Sequence, residues 1–584
     1  MQKIGIGYES YKKIIDENCY FVDKTMLVRD VLEKGGMVTL ITRPRRFGKT
    51  LALSILRTFF ELEVDYDGNV QDNGRYFAGK KIMEAPEKIL SMMGKYPVIN
   101  LSLKSAKQPN FFEAGLKLRD EIISEYSRHS YLLDSKNLTR SEKANFDSLM
   151  QSTPDAELRT AEDYRREIAR YSTAIKTLSV YLQKHHRKDV IILLDEYDVP
   201  LENAYHRGFY DEMVDFIRSL FESALKTNNS LFKAVVTGCL RISRESLFTG
   251  LNNLEISSIR DSGFADDFGF TDAEVVAMLK EYGLEERIAE ARKWYDGYRF
   301  GEQEIYNPWS ITKYVKSIVV NHKKFPEPYW ANTSSNRIIR EMVYHANEKM
   351  REELDALIKG DNIEKMIHED ITYEDIHETE DNLWNFLFFT GYMKKVSERL
   401  VDGDVYVTMR IPNAEIRSIY RNQISSWFDK KVEESDRSPL HRAVLEGNTE
   451  GMANYLTDLL GKTISTFDSD ESFYHGFLLS LLYGVPCYVV RSNREEGIGR
   501  PDTVLYPNRP QDPAILFEIK VRKKFSEMQS GIDEAFRQIG DLKYETGILE
   551  DGYMGCIAYG ICFCKKSCII ERYRSNIGGR SGQG

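Results

Sequence analysis

Short apolar runs without alternation punctuate the first half of the chain. "MVTLIT" (37–42), "YPVINLSL" (96–103), "DVIILLDEYD" (189–198) and "LFKAVVTGCL" (231–240) each read as a strand buried on both faces of a parallel sheet. Helix-forming stretches lie between them, among them "KTLALSILRTFF" (49–60) and residues 211–225, which suits crossover connections. From about 271 to 444 the pattern turns mostly helical. "DAEVVAMLKEYGLEERIAEARKWYDGY" (272–298) is rich in helix formers, Pro308 stands where a helix begins, and "DVYVTMRIPNAEI" (404–416) reads as one strand and then a helix start. The last third mixes periods again. A helix "DESFYHGFLLSLLYG" precedes a strand "PCYVVRSNRE", then come "RPDTVLYPN" and "AILFEIKV", an amphipathic helix around 525–544 and a strand "CIAYGICF". That order, αβββαβ, predicts a second compact α/β unit. The expected boundaries are 1–270, 271–444, 445–575 and a flexible tail at 576–584.

Composition changes this picture little. A chain of 584 residues suits three or four domains, and 42% hydrophobic with 29% charged residues is ordinary for a globular protein. A net charge of −10 argues against a surface coated in basic residues for duplex DNA, though not against a local basic groove. "MQKIGIGYESYKKI" lacks the apolar core of a signal peptide. The longest apolar run, 477–490, is too short to span a bilayer and is broken by Gly484 and Pro486. A cytoplasmic protein with no membrane partner is expected. Seven cysteines make no disulfide framework, and Cys562 and Cys564 alternate as core residues do. His185 and His186 read as surface residues.

The stretch "TRPRRFGKT" (42–50) is nearly a phosphate-binding loop. Such a loop needs a strand, a turn whose backbone amides face phosphate, a lysine, a Ser or Thr for Mg²⁺, and a helix. Gly48, Lys49 and Thr50 supply its end, but Arg43 occupies the place of the first glycine. The loop tolerates this if residue 43 takes an ordinary φ, because the close approach to phosphate is made around Phe47, Gly48 and Lys49. Arg45, Arg46 and Leu51 complete the expected nucleotide contacts. The run "VIILLDEYD" ends in Asp195 and Glu196, where a Walker B acid belongs at the carboxyl edge of the sheet. Asp195 is expected to hold Mg²⁺ with Thr50, and Glu196 to orient the attacking water. Thr237, ending "KAVVT", suits a γ-phosphate sensor, and Arg241 and Arg244 a charge clamp.

Taken together, "FVDKT", "RPRRFGKT", "LLDEYDVP", "VTGCLRIS" and "YDGYRFG…IYNPWSI" resemble the bacterial AAA-ATPase-like family over most of the chain. The resemblance implies a P-loop α/β sheet with a helical lid, joined to a C-terminal nuclease-like domain. It also explains Arg43, because "RPRRFGK" is the form its members carry. It implies no defined biological role.

A second constellation lies in "GIGRPDTVLYPNRPQDPAILFEIK" (497–520). Residues two apart on a strand share a face, so Glu518 and Lys520 emerge together, with Asp502 arriving from the adjacent strand. Two carboxylates can hold Mg²⁺ or Mn²⁺, and the lysine can activate water beside a phosphodiester. With Pro501 ahead of Asp502, the order resembles the PD-(D/E)xK nuclease superfamily and its restriction-endonuclease-like fold. In that pattern Glu471 is a further metal acid and Gln538 a polar helper. His475, one turn past Glu471, reads as a packed residue within reach of metal or DNA. The cations of "KVRKKF" (520–525) suit DNA phosphates.

The sequence thus points to an ATP-dependent DNA-processing enzyme with ATP, Mg²⁺ and DNA as its ligands, no other small-molecule substrate, and homo-oligomerisation left open. An ATP-driven switch, whose C-terminal domain only binds nucleic acid or protein, stays open as well. Glu196 counts against a scaffold that binds nucleotide without hydrolysis.

Overall fold

In a computed structural model of the chain, residues 1–65, 69–241, 248, 252–330, 337–369, 373, 375–461, 471–492 and 501–574 are described. Arg244 and the expected tail lie outside them. The chain divides into two compact units, Met1–Ser335 with Asn362–Ile419, and Asn336–Asp361 with Tyr420–Gly584. The stretch 271–444 is therefore shared between both units.

The first unit is built on β1 (Val38–Thr42), β2 (Val98–Ser102), β3 (Val190–Asp195), β4 (Leu231–Gly238) and β5 (Leu254–Ser257), ordered β2-β3-β4-β1-β5 and parallel throughout. β1 and β3 are buried at every position, as continuous apolar runs between two helical layers require. The order sets the end of β4 beside the end of β1 and the end of β3 one strand further, so Asp195 and Thr237 lie on the side of the loop that follows Thr42. The helix Lys49–Phe60 packs on β2, β3 and β4 and buries Leu53, Ile55, Leu56, Phe59 and Phe60. β5 was not foreseen. It is a four-residue edge strand with Glu255 exposed, too short to show as an apolar run.

The middle of the chain carries more strand than its composition suggests. β6 (Tyr298–Phe300) and β7 (Gln303–Ile305) form a hairpin, and β8 (Ile363–Met366), β9 (Lys394–Val401) and β10 (Asp404–Arg410) an antiparallel sheet ordered β8-β10-β9. The expectation of one strand here is corrected to five. β6 and β7 have three residues each, and β9 is mostly charged and exposed, so no apolar run marks them. The helix at Pro308 runs to Val320, with Asn307 as its cap.

The second unit holds β11 (Tyr488–Ser492), β12 (Thr503–Pro507), β13 (Ala514–Val521), β14 (Cys556–Cys564) and β15 (Ser567–Arg572), in that order across the sheet. Only β13 and β14 run parallel. Their crossover passes through the helix Met528–Asp541, which packs on both strands. A second helix, Tyr544–Glu550, and β15 go beyond the expected αβββαβ order. The helix Glu471–Leu482 packs on β11 and β13. Cys562 and Cys564 are buried in β14, as their alternation implied. His185 and His186 are half-buried rather than surface residues. They hold Ser135 Oγ at 2.7 Å and Tyr131 OH at 2.9 Å.

Candidate functional site

Arg43 does not enter the phosphate loop. Its side chain is fully buried, and Nη1 donates to the carbonyls of Thr42 (2.9 Å), Ser257 (3.0 Å) and Ser258 (2.8 Å). Nη2 donates to the Phe264 carbonyl at 3.1 Å, and the guanidinium lies 5.0 Å from the Phe300 ring centroid. Burial lowers its pKa to about 10, which still leaves a cation at neutral pH. Arg43 is not among the left-handed residues, whereas Arg46 (φ 71°) and Gly48 (φ 86°) are, so the loop curls at its far end. Gly48 is the position where the turn requires a positive φ and has open space around it.

The strand ends converge on this loop. Thr50 Oγ1 donates to Asp195 Oδ2 at 2.6 Å, and Thr237 Oγ1 donates to Asp195 Oδ1 at 2.5 Å. Thr237 is fully buried, and its hydroxyl bonds Asp195. Lys49 Nζ donates to the carbonyls of Arg43 (2.7 Å) and Pro44 (3.0 Å), folded back on its own loop. Glu196 takes a left-handed φ of 52°, which turns its side chain out of the line of β3. Burial, with the neighbouring Asp195 adding, raises its pKa.

A cavity of about 390 Å³ opens on this loop, lined by Arg45, Arg46, Phe47, Gly48, Lys49, Thr50, Leu51 and Glu196. Its other walls come from Phe21, Val22, Lys24 and Trp309, which lie in the quoted "FVDKT" and "IYNPWSI" motifs, and from Ile4–Glu9, Lys104, Asp267, Phe270 and Met278, which the sequence did not mark. No local pattern marks the second group, since each is ordinary in its own element and only the fold assembles them. Arg45 pairs with Glu202, and the Arg46 guanidinium lies 4.4 Å from the Trp309 ring centroid. Phe47 is wedged against Tyr298 and Phe300 at centroid distances of 4.9 and 5.1 Å. Gly269 (φ 83°) donates its N–H to the Phe47 carbonyl at 3.2 Å, and a Cβ there would stand 2.2 Å from Ile305 Cγ2. The "YDGYRFG" and "IYNPW" motifs thus buttress the loop from behind. Arg241 pairs with Glu369 at 2.8 Å and is not among the cavity-lining residues.

In the second unit Lys520 Nζ donates to Glu518 Oε1 at 3.0 Å, as residues two apart on one strand face allow. Asp502 Oδ2 accepts from Ile519 N–H at 2.8 Å, which locks β12 to β13 beside the pair. Glu518 is 1% exposed, and its Oε2 is buried without a hydrogen-bond partner. Burial first, and then the Asp502 charge, push its pKa up to about 7. Burial pulls the Lys520 pKa down, but the Glu518 carboxylate outweighs it and the net shift is upward. His475 Nε2 contacts the Asp502 carbonyl at 2.6 Å, so it packs against the backbone of the acid. Gln538 Nε2 reaches the Tyr544 hydroxyl at 3.3 Å, and Tyr544 is a neighbour that the sequence reading missed. Glu471 is half-exposed and stands 3.9 Å from Lys520. Among the described residues no three of His, Cys, Asp and Glu stand together as a metal site, so Glu471, Asp502 and Glu518 form no ready triad. The donor set still fits a divalent cation: Asp502 and Glu518 offer hard carboxylate oxygens, and one of them is buried and free.

Residues 5–248 match the model of a predicted AAA-ATPase family, and residues 469–573 match that of the PD-(D/E)XK nuclease superfamily. An uncharacterised protein from the vnfD 5′ region of Azotobacter chroococcum mcd 1 is 28% identical over 340 residues, covering 57% of this chain and 54% of that protein. The chain therefore spans about half the length of the curated relative it matches. Among solved structures, a Walker-type ATPase of Pyrococcus abyssi is similar at 14% identity and a TM-score of 0.33, over 69% of this chain and 96% of its own.

Proposed function

We propose, for a chain that joins an AAA-ATPase-like segment to a PD-(D/E)XK nuclease-superfamily segment, that it binds and hydrolyses ATP and couples this to metal-dependent hydrolysis of DNA phosphodiesters. The observation that carries the reading is the 2.6 Å bond between Thr50 and Asp195, beside a cavity lined by Lys49 and Glu196. Those four groups come from two separate stretches of sequence and have a joint use in nucleotide hydrolysis.

In this reading the amides at the start of the helix Lys49–Phe60 hold the phosphates, and Lys49 leaves the carbonyls of Arg43 and Pro44 to join them. Thr50 and Asp195 would hold Mg²⁺, which supplies charge neutralisation at the phosphates. Glu196 orients the attacking water and accepts its proton, a task that its raised pKa favours. Lys104, whose ammonium pairs with Glu9 at 3.0 Å on the cavity wall, is a nearer cation than Arg241 for the phosphate charge. At the second site Asp502 and Glu518 would hold Mg²⁺ or Mn²⁺, which supplies Lewis-acid activation of the phosphodiester. Lys520 holds the attacking water or the developing charge. The exposed Lys523 and Lys524 beside the site contact DNA phosphates.

The test is Mg²⁺-dependent phosphate release from ATP, comparing the full chain with Glu196→Gln. Turnover by the wild type and its loss in the variant are expected, and a wild type without turnover would overturn the ATPase half. One observation favours the second reading, an ATP-driven switch with a binding-only C-terminal domain: Glu471 does not join the two carboxylates. ATP turnover with no DNA cleavage under any metal would select it.

A further inference from the structure

Asp195 and Glu196 are held in different ways. Asp195 ends β3, pairs with Ser102 of β2 and accepts at its carbonyl from Leu103 N–H at 3.0 Å, so the sheet itself anchors it. Glu196 is the first residue past the strand, with a φ of 52° that L side chains rarely adopt. A backbone in that region persists only where its surroundings over-determine it. The direction of the Glu196 side chain is therefore set by whatever holds residues 197 and 198.

What holds them is the end of β4 and the residues that follow it. Tyr197 N–H donates to the Thr237 carbonyl at 3.1 Å, and Tyr197 OH donates to the Leu240 carbonyl at 2.7 Å. In the opposite direction Asp198 Oδ2 accepts from the amides of Cys239 at 2.7 Å and Leu240 at 3.2 Å. Asp198 is buried, and without that oxygen both amides lose the acceptor that the joint gives them. The two segments approach so closely that a Cβ on Gly238 would stand 2.4 Å from Tyr197 Cε1 and 3.0 Å from Asp198 Oδ1, which leaves room for glycine alone. Val199 N–H donates to the Glu196 carbonyl at 3.2 Å and closes the turn. Glu196 lines the cavity and Asp198 is not among the described lining residues, so Asp198 reaches the chemistry only through the backbone it holds.

We propose that Asp198 is a positioning residue for the hydrolysis: by holding the Cys239 and Leu240 amides it fixes the left-handed turn that aims Glu196 into the cavity. The proposal rests on the ATPase reading above. Asp198 belongs to the "LLDEYDVP" motif, in which it has no part in nucleotide or metal binding. A small error in the direction of a group that orients water costs rate and not affinity, because ATP is held by the loop at the other wall.

The experiment is equilibrium ATP binding and single-turnover hydrolysis by the full chain, for the wild type, Asp198→Ala and Asp198→Asn, each also in the Glu196→Gln background. Asp198→Ala is expected to slow hydrolysis about tenfold or more and to leave ATP binding within a few fold. Asp198→Asn, which keeps a carbonyl acceptor for the two amides, recovers most of the rate. In the Glu196→Gln background Asp198→Ala costs less than about twofold further, because the group it positions no longer acts. An unchanged rate in Asp198→Ala would overturn the proposal. So would a loss of binding and rate together, or an equal fold-loss in the Glu196→Gln background. If Asp198→Ala does not fold, Tyr197→Phe reads the same joint, since it removes the hydroxyl bond to Leu240, and an unchanged rate there would overturn it as well. A wild type that hydrolyses no ATP would overturn the ATPase reading itself, and this proposal with it.

Discussion

Arg43 Nη1 donates to the carbonyl of Ser258 at 2.8 Å, deep under the phosphate loop. In place of a loop glycine the chain has a buried cation that ties the exit of β1 to the segment after β5. The loop is narrowed at the far end instead, by the left-handed Arg46 and Gly48.

Restoring a glycine at this position should therefore harm the protein. Arg43→Gly leaves the carbonyls of Ser257, Ser258 and Phe264 without that donor, and it empties the space between Phe268 and Phe300. A loss on the order of 3 kcal/mol or more is expected, read as a lower midpoint in urea. An unchanged midpoint would remove the structural role assigned to Arg43.

Glu196→Gln should separate binding from hydrolysis. The side chain keeps its size and loses its basicity, so ATP affinity should stay within a few fold while turnover falls about 100-fold or more. Thr50→Ala should instead weaken the Mg²⁺ dependence of binding, since it removes the hydroxyl that meets Asp195. Equilibrium binding and single-turnover hydrolysis, run on both variants, tell the two roles apart.

Glu415 gives the first unit a defined response to pH. It is buried, and its Oε1 accepts from Trp330 N–H at 2.8 Å and Ser310 Oγ at 3.0 Å. Burial pushes its pKa from 4.5 to about 7. Between those values the folded state holds a proton that the unfolded state has released, so stability falls as pH rises from about 4.5 to about 7 and is level above. Glu415→Gln removes that penalty and should stabilise the protein at pH 8 by about 1–3 kcal/mol, with little gain at pH 4. Denaturant titrations at the two pH values check it, and an equal effect at both would contradict it.

Metal removal should silence the second site without unfolding it. Chelation is expected to abolish DNA cleavage and leave the far-ultraviolet circular dichroism unchanged, because β13 is held by its pairing with β12 and β14 and not by an ion. Added Mg²⁺ or Mn²⁺ should restore cutting. Lys520→Met should not respond to either metal.

Apart from β5 and β15, the strands of the two α/β sheets were legible in the sequence as apolar runs that end in polar residues. β3 and β13 both carry their candidate acids, Asp195 and Glu518, at that end or within that run. The bond between Thr50 and Asp195 follows from a strand order that the sequence only implied. Much of the wall of the cavity at this loop was not legible. Ile4–Glu9, Lys104 and Asp267 are brought together by tertiary packing across more than two hundred residues, and no local periodicity carries that information. Thr237 and Arg241 have partners that their sequence positions did not name. Their positions at and after the end of β4 suggest phosphate contacts, and the fold gives Thr237 a bond to Asp195 and Arg241 an ion pair with Glu369.

The most direct test of an ATP-coupled nuclease is cleavage of plasmid and single-stranded DNA with Mg²⁺ or Mn²⁺, with and without ATP, by the wild type, Glu196→Gln and Glu518→Ala. The account predicts cutting by the wild type that rises with ATP, loses its ATP response in Glu196→Gln and disappears in Glu518→Ala. Cutting that survives in Glu518→Ala, or no cutting on either substrate while ATP is still hydrolysed, would contradict it.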